Sequence, residues 1–172
     1  IWAGAVAWQG VSVAALSVAL FLTLLTGILV TDAQTMLIPD EFSLGGLGAG
    51  LLLALAPGGI GAADAAVGAA AGYSLLWLAG TVGRWWAGRE AMGGGDLKMM
   101  AMVGAFIGWR GVLLTVFLGS LAGTLVYLPA LIRRERYREV PFGIFLAVGA
   151  AIALVAGERL VSWYTSLLWP AP

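Results

Sequence analysis

Long stretches without a single charged residue dominate this sequence and limit what it can fold into. Residues 1–31 contain no Lys, Arg, Asp or Glu. Across the 172 residues only 10% are charged, whereas 61% are hydrophobic. A water-soluble domain of this size could not bury so much apolar surface. Because about 20 apolar residues are enough to cross a bilayer, the sequence indicates a membrane protein.

Charged and turn-forming residues divide the chain into six apolar runs. The runs show no apolar–polar alternation of the kind found in membrane β-strands, so we predict helices. They cover 11–31, 42–56, 65–83, 99–109, 111–132 and 140–157. The fourth run reaches only about half of the hydrocarbon thickness. The prediction is an all-α polytopic membrane protein, a single domain over 1–172, with six transmembrane helices and a glycine-rich loop before a short fourth helix.

The distribution of lysine and arginine predicts the orientation of these helices. With six crossings, the loops 31–42, 84–98 and 133–139 lie on one side of the membrane. These loops hold every basic residue except Arg110 and Arg159, which fall on the other side. Because loops rich in Lys and Arg remain in the cytoplasm, the first set of loops is predicted to be cytoplasmic.

The residue types limit the chemistry and the partners that we expect. The chain has no cysteine and no histidine, which removes disulfides, thiol catalysis and the commonest metal ligands. We therefore predict no metal site. The formal net charge is zero, so no nucleic acid is expected as a partner. The lipid bilayer is the partner that the composition implies.

Glycine pairs with the spacing Gly-x-x-x-Gly occur three times in the apolar runs. This spacing is typical of closely crossing membrane helices. A chain with 26 glycines also produces such spacings by chance, so both interpretations stay open at this point. The pairs are Gly46/Gly50, Gly68/Gly72 and Gly119/Gly123.

Two of the nine acidic residues lie where a charge is costly. Asp32 ends the uncharged run, and Asp96 precedes the short fourth helix. Acids near membrane depth are candidates for function, and the predicted topology places both at the cytoplasmic side, where they can meet. Two adjoining carboxyl groups do not both ionise easily, so one keeps its proton while the other acts as a base toward water. This is the chemistry of an aspartic protease. The alternative is that Asp96 merely caps the fourth helix.

Three consecutive glycines precede Asp96 in the segment GGGDLK. Glycine allows the backbone to bend and to approach another chain closely. Irregular backbone is tolerated at membrane depth where it is buried or lines a watery cavity. We predict that the loop 84–98 dips toward the membrane and approaches a substrate strand.

Three blocks of sequence resemble the type IV prepilin peptidases, a bacterial branch of the Gly-x-Gly-Asp intramembrane aspartyl proteases. The blocks are TDAQTMLIPDEFS over 31–43, GREAMGGGDLKMMAMVGAFIGW over 88–109, and VPFGIFLAVGA over 140–150. Their order and spacing agree across nearly the whole chain. The resemblance implies that Asp32 and Asp96 are the catalytic pair.

The resemblance also implies a substrate, a location and supporting residues. The family cleaves the leader from type IV prepilins and pseudopilins, which serve type IV pili and type II secretion. Cleavage occurs at the cytoplasmic face of the bacterial inner membrane, after a glycine. Lys98 would balance the carboxylates or, alternatively, anchor a cytoplasmic loop, and residues 141–143 would shape the groove or simply begin a helix, where proline is favoured. The supporting or groove positions are Gly93, Gly95, Lys98, Pro141, Phe142 and Gly143.

The chain departs from the resemblance at its start. Bacterial members carry an N-terminal helix and a domain whose two cysteine pairs bind zinc, and neither precedes the first block here. We therefore expect the complete protein to have an N-terminal portion before Ile1. N-methylation of the new N-terminus with S-adenosylmethionine is associated with that complete form. Zinc and S-adenosylmethionine are expected only there, and no cofactor is expected for proteolysis by this chain.

A small transporter or proton-conducting protein is the alternative from another functional class. It would use the two carboxylates within a polar path across the membrane. The middles of the third, fifth and sixth runs hold few polar residues, among them Tyr73, Ser74, Ser120 and Thr124. Polar chemistry gathers at one face, which favours a site that opens to the cytoplasm over a path across the membrane. A non-catalytic scaffold would leave two isolated aspartates on one side unexplained.

Overall fold

A computed structural model of the chain describes residues 1–88, 92–132 and 141–168, and this part is helical apart from short connections. The helices are α1 (Trp2–Gln9), α2 (Val13–Thr35), α3 (Asp40–Ala54), α4 (Ala62–Ala87), α5 (Gly94–Ile132) and α6 (Phe142–Leu168). The predicted all-α class is confirmed. Four helices, α2, α4, α5 and α6, are long and apolar enough to cross a membrane. The predicted number of six transmembrane helices is not confirmed.

Local signals at both ends of α2 place Asp32 one turn before the helix stops. Ser12 is the N-cap, and its hydroxyl oxygen accepts the Ala15 N–H at 3.1 Å. At the other end Met36 adopts a left-handed conformation with φ 54°, and its N–H donates to the Asp32 carbonyl oxygen. Pro39 then precedes α3 with φ −61°. This short connection returns the chain along α2.

Gly108 divides α5 into two arms. Its φ of 67° and ψ of 177° lie outside the helical region, in a part of conformational space that glycine adopts easily. We call residues 94–107 the first arm and residues 109–132 the second arm. The sequence placed the boundary between the fourth and fifth helices at Arg110, close to the observed division.

Contacts with α2 give the direction of the first arm. Phe21 of α2 stacks on Phe106 near the end of the arm, with ring centroids 4.9 Å apart. Asp32, near the end of α2, lies close enough to Asp96 at the start of the arm for their charges to interact. The first arm is therefore antiparallel to α2.

The second arm runs the opposite way. The Ile144 N–H of α6 bonds to Asp32, and Leu154 packs beside Val18, so α6 is antiparallel to α2. Phe145 of α6 lies against Gly123, while Gly157 lies against Leu114, so α6 is also antiparallel to the second arm. Since α6 and the first arm share one direction, the second arm opposes both, and α5 is a helical hairpin.

These directions bring six helix ends together. The end of α2 and the starts of α3, the first arm and α6 meet there. Both α4 and the second arm end there, because α4 packs antiparallel to the first arm and the second arm packs antiparallel to α6. We call this the aspartate end. Its boundary residues are Thr35, Asp40, Ala87, Gly94, Ile132 and Phe142. The opposite end, which contains Gly108, is called the far end.

The first arm forms the centre of the bundle. Met99, Met100 and Met102 are fully buried within it. A Cβ atom on Gly68 of α4 would overlap the Gly104 carbonyl oxygen, so the two backbones touch directly. All three Gly-x-x-x-Gly pairs lie at contacts between helices. Gly46/Gly50 and Gly68/Gly72 face the first arm, and Gly119/Gly123 faces α6.

Two predicted helix ends are wrong. The third run was predicted to begin at residue 65, whereas α4 begins at Ala62 after Gly61, with φ 94°, so Asp64 lies in its first turn. Glu158 does not lie at a helix end, because α6 continues past it to Leu168. At Glu158 a charged residue ends the apolar run, but the backbone hydrogen bonds of α6 continue.

The predicted glycine-rich loop over 84–98 is not confirmed. Arg84 lies in the last turn of α4, while Gly94 and Gly95 belong to the first turn of α5. The first arm consequently begins earlier than the predicted helix 99–109. Arg89, Glu90 and the predicted loop 133–139 lie outside the described residues.

Candidate active site

Asp32 is a buried carboxylate held by the start of another helix. Its side chain is only 4% exposed, although it belongs to an otherwise apolar helix. Its Oδ2 accepts the backbone N–H of Ile144 at 3.0 Å. Ile144 is the third residue of α6, and the first N–H groups of a helix have no partner within it. The N-terminus of α6 therefore supplies both a donor and a favourable dipole to the carboxylate.

Asp96 lies in the first turn of the first arm and is half-buried. A Cβ atom on Gly93, the residue before the arm, would lie 3.1 Å from the Asp96 Oδ2, so the carboxylate lies directly beside that residue. A carboxylate at this position commonly reaches back to the residue before the helix. Asp96 thus contributes to the start of its helix and faces Asp32 at the same time. Capping and a role in chemistry are compatible.

Ile38 separates the two helix starts that flank the aspartates. A Cβ atom on Gly95 would lie 3.0 Å from the Ile38 Cβ, and one on Gly143 would lie 2.9 Å from the Ile38 Cδ1. A Cβ atom on Gly143 would also lie 2.8 Å from the Asp32 Oδ2. The side chain of Ile38 is therefore wedged between the first arm and α6, and glycines on both sides leave room for it.

Sequence reasoning assigned no role to Ile38. The only feature of the sequence that points to Ile38 is an apolar residue directly before Pro39. In the structure its neighbours Met36 and Leu37 are exposed. A partly buried residue among exposed ones indicates a contact with another element. It does not identify which element.

Lys98 forms an ion pair with Asp40. Its Nζ lies 2.7 Å from Oδ1 and 2.9 Å from Oδ2 of that carboxylate. The pair joins the start of α3 to the first arm at the aspartate end. Both side chains are substantially exposed, 38% and 56%, so the pair contributes at most about 1 kcal/mol to stability.

The remaining candidate positions lie at the start of α6. Pro141 directly precedes the helix, Phe142 is its first residue, and both are partly buried. Phe142 packs against the main apolar core. Gly143 is buried against Asp32. The structure thus brings Asp32, Asp96 and residues 141–143 to one end of the bundle.

The described residues also line a cavity that is remote from this site. It has a volume of about 880 Å³ and lies at the far end, beside Gln9, Arg110 and Glu158. The aspartates lie at the other end of the same helices. This cavity is therefore not part of the candidate active site.

The residues at the aspartate end suit acid–base chemistry. Two carboxyl groups that share a site can hold one proton between them, which supplies a base for water and an acid for a carbonyl oxygen. Among residues 1–88, 92–132 and 141–168 no group of three His, Cys, Asp or Glu side chains is placed to hold a metal ion.

Comparison with known proteins gives a family for this arrangement. Residues 6–128, which include both aspartates, match the type IV leader peptidase family. The prepilin leader peptidase/N-methyltransferase of Aeromonas salmonicida (strain A449) is 36% identical over 151 residues, covering 84% of this chain and 52% of the relative. The protein of the same name from Aeromonas hydrophila is 37% identical over 147 residues, covering 82% of this chain and 51% of the relative.

A relative from Xanthomonas campestris pv. campestris, also called prepilin leader peptidase/N-methyltransferase, is 33% identical over 171 residues, or 95% of this chain and 56% of the relative. The chain spans about half the length of the curated relatives that it matches. No solved structure matches it significantly. The resemblance found in the three sequence blocks is confirmed, and the chain belongs to the type IV leader peptidase family.

Proposed function

We propose that the protein is an intramembrane aspartic endopeptidase that removes the leader from type IV prepilins or pseudopilins. The observation that carries the proposal is the placement of Asp32 and Asp96 at one end of the bundle, where Ile38 contacts the helix starts beside both aspartates. Family membership gives the reaction class, and the relatives' printed names give the substrate class.

The proposed reaction uses the carboxyl pair and one water molecule. The ionised carboxylate takes a proton from the water as its oxygen attacks the scissile carbonyl carbon. The protonated carboxyl group donates to the carbonyl oxygen, which produces a tetrahedral diol. When the C–N bond breaks, the leaving nitrogen receives a proton and the diol becomes the new carboxyl group. The carboxyl pair then returns to its starting state.

The residues around the pair support this role. The α6 N-terminus holds Asp32 in place through Ile144, and Gly93 leaves the backbone next to Asp96 open for close approach. We assign Gly95, Pro141, Phe142 and Gly143 to the walls of the site. Lys98 supports the site indirectly, by fixing α3 through Asp40.

We further propose six membrane crossings, with the aspartate end in the cytoplasm of a bacterial inner-membrane protein. The antiparallel arms of α5 support six crossings, because each arm then crosses the membrane once. The other four crossings are made by α2, α3, α4 and α6. The described residues place two basic side chains at each end of the bundle. Arg84 and Lys98 lie at the aspartate end, and Arg110 and Arg159 lie toward the far end. These four residues alone therefore do not determine the orientation in the membrane. The loop 133–139, outside the described residues, supplies the excess of arginine.

Orientation has a direct test, because the chain contains no cysteine. Leu37 at the aspartate end and Leu55 at the far end are both exposed. A single cysteine at position 37 should react with an impermeant thiol reagent only from the cytoplasmic side, and one at position 55 only from the other side. The reverse pattern would invert the proposed orientation.

N-methylation is assigned to the complete protein. The relatives' names include N-methyltransferase, and they are about twice as long as this chain. A zinc site built on cysteine pairs does not fit the residues present, since the sequence contains no cysteine or histidine. No step of the proteolytic reaction proposed above passes through zinc or S-adenosylmethionine.

Proteolysis of a reconstituted prepilin tests the proposed function. Asp32→Asn and Asp96→Asn change side-chain volume little, and each should abolish leader removal while the protein still inserts and folds. Asp64→Asn is the matched control, because Asp64 lies in the first turn of α4 at the far end, and should retain cleavage. Near wild-type cleavage by either active-site variant would overturn the proposal and reopen the transporter alternative, which the family match does not favour.

A further inference from the structure

An apolar groove runs between α2 and α6 on the side of the bundle. Its volume is about 420 Å³. Val148, Ile152 and Val155 on its rim are substantially exposed, so the groove opens outward. The residues that form its two walls are Leu22, Leu25 and Leu29 of α2 and Ala147, Ala151 and Val155 of α6.

The groove is aligned with the aspartate site and ends about one helical turn from it, at Leu29 and Ala147. Leu25, Leu29 and Asp32 recur at helical spacing and therefore share one face of α2. Gly143, Ala147 and Ala151 share one face of α6 in the same way. Because Gly143 lies directly against Asp32, the lines of both walls converge on this carboxylate.

The lining determines what chemistry the groove accepts. Its one hydroxyl side chain, Thr26, donates to the Leu22 carbonyl oxygen at 2.7 Å and so is already satisfied. The other lining side chains are aliphatic. The small side chains of Ala147 and Ala151 let a helix backbone approach closely, as small residues do in membrane helix pairs. The groove therefore suits an apolar helix.

We propose that this groove holds the apolar helix that follows the cleavage point in the substrate. The inference rests on the proposed function and specifies its substrate contact. Asp32 and Leu22 are separated by about 15 Å along α2, which corresponds to roughly ten residues of a helical occupant. A substrate helix seated along both walls would present its N-terminal end, and the bond to be cut, at Asp32.

Disulfide crosslinking tests the position of that helix. An Asp96→Asn background keeps the substrate uncut, and Thr26→Cys places one thiol in the groove. Thr26 lies about 9 Å along α2 from Asp32, so it should crosslink to cysteines placed roughly six residues after the cleavage point. Leu78→Cys, exposed on α4 and outside the groove, is the matched control and should give no crosslink. Equal crosslinking at both positions, or none at position 26, would overturn the proposal.

A narrowed groove provides a second test. The quantity to measure is the ratio of kcat/KM for a full-length membrane-anchored prepilin to kcat/KM for a soluble leader peptide without the helix. Ala151→Leu should lower this ratio at least about tenfold. Ala70→Leu, on an exposed position of α4, should leave the ratio unchanged. If Ala151→Leu does not change this ratio, the groove holds lipid or nothing that matters for cleavage. Absence of cleavage by the wild type would instead refute the proposed function.

Discussion

The substitution Gly143→Ala tests whether the start of α6 positions Asp32, the proposed catalytic carboxylate. The added Cβ atom would lie 2.8 Å from Oδ2 and 3.2 Å from Cγ of Asp32, and 2.9 Å from the Ile38 Cδ1. Non-bonded carbons need about 3.5 Å, so these neighbours must move by roughly half an ångström or more. Ile38 can turn its flexible end away. Asp32 is buried and held by Ile144, so its shift changes the active site.

The size of the effect follows from what Asp32 loses. A shift of the carboxylate weakens its 3.0 Å bond from Ile144, and a hydrogen bond to a charged group contributes about 1.5–3 kcal/mol. A misplacement of about 1 Å can cost a reaction about 10²-fold. We expect kcat/KM for prepilin cleavage to fall between about ten- and a hundredfold. The free energy of unfolding should fall by no more than about 3 kcal/mol, because alanine's better helix propensity, about 1 kcal/mol, offsets part of the crowding cost.

Mass spectrometry of the released leader gives kcat/KM, and thermal unfolding in detergent monitors the fold. Gly45→Ala in α3 is the matched control, since Gly45 is also helical and a Cβ atom there would meet no atom within 4 Å. It should cleave at the wild-type rate. If Gly143→Ala cleaves equally well, the carboxylate tolerates displacement and the reasoning is wrong. A large drop in Tm would mean that Gly143 serves packing instead.

Four further predictions concern the same bundle. The cleavage rate should fall at both acid and alkaline pH, because one carboxyl group of the pair must be ionised and the other protonated; a flat pH–rate profile would exclude the pair. The Asp32→Asn, Asp96→Asn double variant should be no worse than either single variant, which parallel cleavage assays would show. Gly104→Ala should lower Tm markedly, because its Cβ atom would overlap the Gly68 backbone at the α4 crossing. Asp40→Asn should retain substantial cleavage and change the free energy of unfolding by no more than about 1 kcal/mol in chemical denaturation, since its ion pair is exposed.

The sequence predicted the helical segments well, because membrane burial depends on residue type more than on tertiary contacts. The uncharged run before Asp32 became α2, and the break near Arg110 became the reversal at Gly108. Counting crossings was enough to bring Asp32 and Asp96 to one end. That inference needs only the direction of each segment and no knowledge of side-chain packing.

Helix ends and side-chain partners were predicted less well. The segment Trp2–Gln9, which precedes the first predicted run, forms α1, and α6 continues through Glu158. Lys98 contacts Asp40, and Ile38 contacts two glycines on different helices. Each of these depends on which elements pack together. Apolar composition and charge spacing do not determine that.

The distance between the two carboxylates is set by helix packing. Asp32 and Asp96 lie on different helices, and the chain between them passes through α3 and α4. Ile38 lies between the starts of the first arm and α6, while Ile144 fixes Asp32 to α6. A change that shifts the first arm relative to α6 therefore changes the separation of the carboxylates even when it touches neither. Because the contacts on both sides of Ile38 are to glycines, added side-chain volume at either glycine acts directly on that separation.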